Sequence, residues 1–196
     1  MKKWQVIVII IVIVAVIAGG SYASSRNNMV RKKEQVNSSW SQVNVVIQRR
    51  ADLIPNLVAT VRGYATHEET VFGQVTKARE ALLAANTPAG RIQANGQLDG
   101  ALGRLLAIVE NYPQLKANEN FLELQDQLEG TENRIAVERR RYNLAVQDYN
   151  TYIGLFPNNL IAHMVGFARD NDYFKTTPGA EQVPEVVFPG APALKN

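Results

Sequence analysis

The sequence of 196 residues contains no cysteine. This absence excludes disulfide bonds and thiolate metal sites. It also excludes the lipid anchor of bacterial lipoproteins, because that lipid is attached to a cysteine. Histidine is scarce as well: His67 and His163 are the only two. Residues 67–71 lack the second histidine of a zinc-protease helix, and no Glu-x-x-His pair exists for a di-iron site. We therefore predict neither a metal nor a cofactor.

Motifs that are typical of catalysis are missing too. The sequence has no Gly-x-Ser-x-Gly elbow, no phosphate-binding loop and no dinucleotide fingerprint. The histidine at position 67 is followed by two glutamates, which is more typical of a solvated turn than of a catalytic site. The sequence therefore predicts that the protein is not an enzyme.

The longest apolar run covers residues 6–18 and consists of valine, isoleucine and alanine alone. With Trp4 before it and Tyr22 after it, the low-polarity stretch approaches the ~20 residues that cross a bilayer. A cleaved signal peptide is the alternative, because Lys2 and Lys3 precede the run and residues 18–20 are small. We expect a retained transmembrane anchor over residues 1–24, since a helical pattern continues directly from it.

Basic charge is concentrated beside this anchor. The net charge is only +3, yet residues 26–50 carry six arginines and lysines against Glu34 alone. This asymmetry favours anionic lipid, and not nucleic acid, as the partner. We expect headgroup contact from Arg26, Arg31, Lys32 and Lys33. Their number favours a cytoplasmic bundle, but Lys2 and Lys3 lie closer to the span, so the opposite orientation stays open.

A seam of apolar residues with alternating spacings of three and four organises the chain after the anchor. It predicts one long helix over residues 27–85, which Pro55 should kink or divide. Further helices are predicted over residues 97–112, 119–156 and 160–168, with Asn118 capping the third of the four and Asn158 or Asn159 capping the last. The seam comprises Trp40, Val43, Ile47, Arg50, Ile54, Leu57, Val61, Tyr64, Glu68, Val71, Val75, Ala78 and Leu82.

The predicted fold is therefore all-α. A transmembrane helix precedes an antiparallel bundle of three or four long helices, similar in packing to a coiled coil, over residues 25–169. Residues 170–196 contain four prolines and few long apolar side chains. We expect them to form an extended or disordered tail whose docking point is residues 186–188.

Charged residues within the seams suggest a polar network between helices. A charge in a bundle seam is costly unless it is paired, and such pairs are known to fix register. The alternative is that Arg50 and Glu68 extend to solvent. We expect Arg50 to pair with Glu138 or Glu132. The predicted network comprises Arg49, Arg50, Asp52, Glu68, Glu132, Asn133 and Glu138.

Several motifs resemble the LemA family in the same order along the chain. They are Arg-Arg-Ala-Asp-Leu-Ile-Pro-Asn-Leu-Val at residues 49–58, Gly-Tyr-Ala-Thr-His-Glu at 63–68, Tyr-Pro-Gln-Leu-Lys-Ala at 112–117, Thr-Glu-Asn-Arg-Ile-Ala at 131–136, and Arg-Tyr-Asn at 141–143. Phe-Pro at 156–157 and Tyr-Phe at 173–174 fit as well. The resemblance implies a single-pass protein of the bacterial inner membrane that carries a four-helix bundle. It also implies, by analogy with a magnetosome-building relative, a role in shaping membranes.

Three functions compete at this point. The first is a non-catalytic, membrane-anchored scaffold or adaptor that forms homo-oligomers, organises the membrane or binds a membrane protein. The second is an accessory partner of a membrane protease or of an envelope-assembly enzyme. The third is a sensor whose bundle binds a small ligand near Arg50 and His67. The anchor, the basic cluster and the long seams favour the first.

Overall fold

The computed structural model describes residues 3–174, which are mostly helical with no strand among them. The predicted all-α class is confirmed, with one long apolar N-terminal helix followed by a helical bundle. Lys2, the tail beyond Phe174 and the docking point expected at residues 186–188 lie outside the described residues.

The first helix, α1 (Lys3–Arg62), has 60 residues and would measure about 90 Å if straight. Its N-terminal part is long and apolar enough to cross a membrane, and none of its most hydropathic 18-residue window is buried against the protein. Buried positions begin at Ser25 and Met29 and recur along one side as far as Val61. The apolar span and the bundle therefore share one continuous helix.

The end of this helix differs from the prediction. Helix α1 passes through Pro55 and ends at Arg62, and residues 63–68 form a turn in place of the expected continuous helix. The amide of Ala65 donates to the carbonyl of Val61 at 2.9 Å, and Ala65 is fully buried in the turn. Glycine is a poor helix former, which favours a helix end at Gly63. Helix α2 (Glu69–Ala84) then runs back along α1.

The remaining helices follow capping chemistry. Helix α3 (Pro88–Val109) begins well before the predicted residue 97, because the Thr87 side chain accepts the amide of Gly90 at 3.1 Å. A single turn, α4 (Pro113–Lys116), precedes α5 (Glu119–Gly154), which Asn118 caps as predicted. Helix α6 (Asn158–Val165) follows Pro157, so neither Asn158 nor Asn159 is its N-cap, contrary to the prediction.

Helices α1 and α5 pack antiparallel along most of their length. Ser25 contacts Asn158 just beyond α5, Trp40 contacts Tyr142, and Tyr64 contacts Asn118 just before α5, so residue numbers rise on one side as they fall on the other. Helices α2 and α3 form a hairpin on the distal half of α1. The bundle thus has four long helices at its distal end, and α1, α5 and α6 at the end beside the apolar span.

Candidate functional site

Arg50 joins three helices from the buried side of α1. Its guanidinium donates to Oδ1 of Asp99 on α3 at 2.6 Å and to Glu132 on α5. The Arg50 side chain is only 9% exposed, whereas those of Asp99 and Glu132 are 37% and 41% exposed. Both hydrogen bonds are charge-assisted, and together they compensate the burial of the cation. The pairing links α1 to two of its neighbours, α3 and α5.

Asp99 extends this cluster, which we call the Arg50 network: Arg50, Asn95, Asp99, Glu132 and Arg139. Its Oδ2 accepts a 3.1 Å hydrogen bond from the amide of Asn95, one turn earlier on α3. The Arg139 guanidinium lies 3.9 Å from the same oxygen. The network therefore contains two basic side chains and two carboxyl side chains, which balance in formal charge.

Other residues of the predicted network lie elsewhere. Glu138, the second expected partner of Arg50, instead accepts a 2.8 Å hydrogen bond from Arg141 within α5. Asp52 accepts from Gln48 at 2.9 Å on the exposed side of α1. Neither carboxylate contacts Arg50.

Arg49 and Asn133 are exposed, on α1 and α5 respectively. Glu68 lies directly before α2, half-buried, and its side chain makes no capping hydrogen bond. The prediction that Glu68 occupies the seam of a continuous helix is wrong, because α1 has already ended at Arg62. Of the predicted set, the structure brings together only Arg50 and Glu132.

The ligand pocket that the sensor hypothesis required is not formed by its two predicted residues. Arg50 lies three turns before the end of α1, whereas His67 is exposed in the turn that follows the helix. Within residues 3–174, no group of three acidic or histidine side chains is placed to hold a metal ion.

Pro55 leaves a buried carbonyl without its helical donor, and a second helix supplies one. Proline lacks the N–H that would bond to the carbonyl of Ala51. Nε of Arg79, on α2, donates to that oxygen at 2.8 Å. Ala51 is fully buried, so without Arg79 its carbonyl would have neither a helical N–H nor a water molecule as hydrogen-bond donor. Proline is therefore tolerated inside α1 because α2 packs there.

Two asparagines of α5 hold the chain that follows α6. Nδ2 of Asn150 donates to the carbonyl of Asp170 at 2.7 Å, and its Oδ1 accepts the Asp170 amide at 2.9 Å. Asn143, two turns earlier, pairs in the same way with Phe174, at 2.8 and 3.0 Å. Each asparagine side chain thus makes the two hydrogen bonds, one donated and one accepted, that the backbone of a neighbouring β-strand would make. We call residues 167–174 the C-terminal strap.

Aromatic rings fix the end of this strap. The rings of Trp40, Tyr142 and Phe174 lie with their centroids 5.4 to 6.1 Å apart. The Arg139 guanidinium, part of the Arg50 network, lies over the Phe174 ring at 5.2 Å. Burial raises the pKa of Tyr142 far above its usual value, and Asp170 and Asp172 raise it further. The strap thus connects the Arg50 network to the aromatic contact between α1 and α5.

The comparison with protein families decides the identity. The model of the LemA family matches residues 39–188, which include the Arg50 network, Pro55 and the strap. The chain belongs to the LemA family.

Curated relatives agree with this assignment. "Magnetosome protein MamQ 2" and "Magnetosome protein MamQ 1" of Paramagnetospirillum magneticum are each 30% identical over 78% of the chain. "Protein LemA" of Metamycoplasma hominis is 23% identical over 68% of the chain. The chain spans 65% of the length of the two MamQ proteins and 61% of that LemA protein. The LemA membership and the apolar span together indicate a membrane-associated helical protein.

The four basic residues expected at lipid headgroups divide into two pairs. Lys32 bonds to Asp148 at 2.5 Å, and Lys33 bonds to Asp170 of the strap at 2.9 Å. Both lysines therefore face the bundle. Arg26 and Arg31 are exposed and lie before the region that the LemA model matches.

Sequence reasoning missed two contributors to these contacts. Asp99 adjoins the apolar stripe of α3, where Asn95 one turn earlier is a fully buried polar residue. Arg79 is one of several arginines with no distinguishing neighbour in the sequence. A proline inside a seam does indicate that the carbonyl four residues before it needs another donor. Nothing in the sequence, however, identifies Arg79 as that donor.

Proposed function

We propose that this LemA-family protein is a non-catalytic, membrane-anchored scaffold or adaptor that self-assembles and organises the membrane or its proteins. The observation that carries the proposal is the continuity of α1. One helix contains both the apolar span and eleven buried bundle residues. A helix transmits orientation in a way that a flexible linker does not, so each bundle has a fixed direction relative to the bilayer.

Self-assembly is proposed because a single copy interacts with the bilayer surface only weakly. Arg26 and Arg31, the two exposed members of the four-residue basic cluster after the span, would each contribute about 1 kcal/mol of attraction to anionic lipid. Repeating that contact in an oligomer multiplies it through avidity. The span offers the contact, since its side chains are exposed on every side. We therefore propose an interface in the anchor or in the membrane-proximal half of α1.

The bundle is proposed to lie on the cytoplasmic side of the bacterial inner membrane. Four basic residues follow the span within the window that governs orientation, and this distribution favours retention on the cytoplasmic side. The MamQ relatives are named as magnetosome proteins, and by analogy a role in membrane organisation is proposed here.

Affinity capture from solubilised membranes tests the proposal. Two copies of the full chain with different tags are co-expressed, and one tag is used for capture. Recovery of the other tag in stoichiometric amount is expected for a scaffold, and a stoichiometric second membrane protein for an adaptor. Mixing separately solubilised membranes provides the control for association after lysis.

Two results would contradict it. Recovery of the captured copy alone, without the second tag and without another membrane protein, would contradict both self-assembly and adaptor function. Capture of a membrane protease or an envelope-assembly enzyme whose turnover depends on this protein would replace the proposal with the accessory function.

A further inference from the structure

We propose that the turn between α5 and α6 inserts into the same bilayer that α1 crosses, as a second and shallower membrane contact. We call this turn, with the first residues of α6, the apolar tip: Leu155, Phe156 and Leu160. Their side chains are exposed, with Phe156 at 80% and Leu155 at 57%. The inference rests on α1 crossing the membrane and does not depend on self-assembly.

The position of the tip follows from one contact. The Ser25 hydroxyl donates to the side-chain oxygen of Asn158, the first residue of α6. Ser25 comes three residues after Tyr22, which is about 4.5 Å along the helix axis. Counting ~20 residues from Trp4 places the edge of the hydrocarbon near residue 23. Asn158 therefore lies at headgroup depth, and Phe156 precedes it by two residues.

Helix α6 runs away from the membrane from this point. The Tyr149 hydroxyl donates to the carbonyl of Ala168 at 2.9 Å, and Asn150 holds Asp170 one residue further along α5. The chain beyond α6 therefore lies beside residues of α5 that come more than one turn before Gly154, where α5 ends. It is farther from the membrane than the end of α5 is. The α5–α6 turn is consequently the part of the bundle nearest to the bilayer.

The chemistry of the tip suits a lipid interface. Ala162 is buried and Ile161 packs against the core, while Leu160 points away from the bundle. Exposed Arg26 lies one residue after Ser25, so a cation accompanies the apolar side chains. Apolar groups backed by basic residues are characteristic of segments that bind at the interface. A second copy or residues 175–196 are the other occupants that the experiment distinguishes.

The natural absence of cysteine allows a direct test in the full chain. An environment-sensitive dye is attached to the cysteine of the Leu155→Cys variant. The labelled protein is reconstituted into vesicles of phosphatidylcholine and phosphatidylglycerol, and spin-labelled lipids serve as quenchers. Leu122→Cys is the matched control, since Leu122 is similarly exposed at the far end of α5. Val14→Cys reports whether the span is inserted. Circular dichroism verifies that each variant is folded.

We expect headgroup-level and shallow acyl-chain quenchers to quench the dye at Leu155, and not the dye at Leu122. Adding Phe156→Ser should shift the equilibrium between the inserted and the water-exposed tip roughly tenfold towards water. The reason is that the variant loses the side chain that gains most from burial. Quenching at Val14 but not at Leu155 would overturn this inference alone. Loss of quenching at Val14 would overturn it together with the membrane anchor. A dye at Leu155 that is shielded from iodide but untouched by lipid quenchers would identify a protein occupant and also overturn it.

Discussion

Arg79 donates a 2.8 Å hydrogen bond to the carbonyl of Ala51, the oxygen that Pro55 leaves without a helical partner. The bond explains how a proline persists inside a 60-residue helix. It also ties α2 to α1 at a backbone atom, which substitutions of the Ala51 side chain cannot remove.

A double-mutant cycle tests this compensation. Arg79→Met should cost about 1–2 kcal/mol of unfolding free energy, because it leaves a buried carbonyl unpaired. In a Pro55→Ala background residue 55 regains its N–H, so the same substitution should cost about 1 kcal/mol less. Chemical denaturation in detergent measures both. Arg104→Met is the control, since Arg104 bonds to an exposed Gln74 side chain. An equal cost of Arg79→Met in both backgrounds would refute the compensation.

Arg50→Ala should lower the stability of the bundle, but by less than the loss of a fully buried ion pair. The substitution removes the Arg50 partner of Asp99 and of Glu132, although Asp99 keeps its contacts with Asn95 and Arg139, and both carboxylates are more than a third exposed and can be rehydrated. We expect about 2 kcal/mol, which lowers Tm by roughly 4–8 °C. Lys116→Ala removes an exposed pair with Glu110 and should change Tm by less than about 2 °C. Equal melting of the two variants would show that Arg50 does not hold the helices together.

Asn150→Ala should release the C-terminal strap. The variant loses three hydrogen bonds, to both backbone groups of Asp170 and to the Tyr173 hydroxyl. Trypsin cleavage after Arg169, an exposed residue in the strap, should accelerate about tenfold under native conditions. Asn37→Ala, which removes an exposed side chain of α1, should leave the cleavage rate unchanged. Unchanged cleavage in Asn150→Ala would mean that the asparagines do not hold the strap.

Alkaline pH should destabilise the bundle through Tyr142. Burial raises its pKa in the folded protein, whereas an unfolded tyrosine titrates near about 10. Its contribution to stability is therefore complete below about pH 10 and is lost as the pH rises beyond that value. Tm measured from pH 8 upwards should fall less steeply for Tyr142→Phe than for the natural chain. Parallel pH profiles would show that Tyr142 does not couple folding to pH.

The alternating apolar spacing was sufficient to predict the all-α class and the antiparallel long helices, and the uninterrupted apolar run of residues 6–18 predicted the candidate span. It could not locate the break between α1 and α2, because Gly63 and Pro55 are both weak points and only packing decides between them. Pro55 survives through Arg79, a residue of another helix. A donor of that kind is brought into place by tertiary packing, and the sequence around Pro55 contains no pattern that predicts it.

The Arg50 network shows the same limit. An arginine in an apolar seam favoured a facing carboxylate over extension to solvent, with Glu138 or Glu132 as candidates, and Glu132 contacts it. The second partner, Asp99, depends on how the α2–α3 hairpin folds back onto α1. That hairpin exists only because α1 ends at Arg62. A prediction that extends α1 beyond this point therefore cannot place Asp99 beside Arg50.

Gly19→Ile should weaken self-association within the membrane. Gly19 has open space around it, and it shares one helix face with Ala15 and Ala23 at spacings of four. Such spacing allows helices to approach closely. Gly20→Ile, which places the same bulk on a different face of α1, is the matched control. An equal effect of both substitutions would mean that bulk, and not this face, determines association.

Counting copies in native-like lipid tests the central claim most directly. The fluorescently labelled full chain is placed in lipid nanodiscs large enough for several copies, and single-molecule photobleaching steps are counted at low protein density. The scaffold account predicts several steps for the natural chain and for Gly20→Ile, and fewer for Gly19→Ile. Single-step bleaching of the natural chain at physiological density would contradict self-assembly and leave the scaffold without a mechanism.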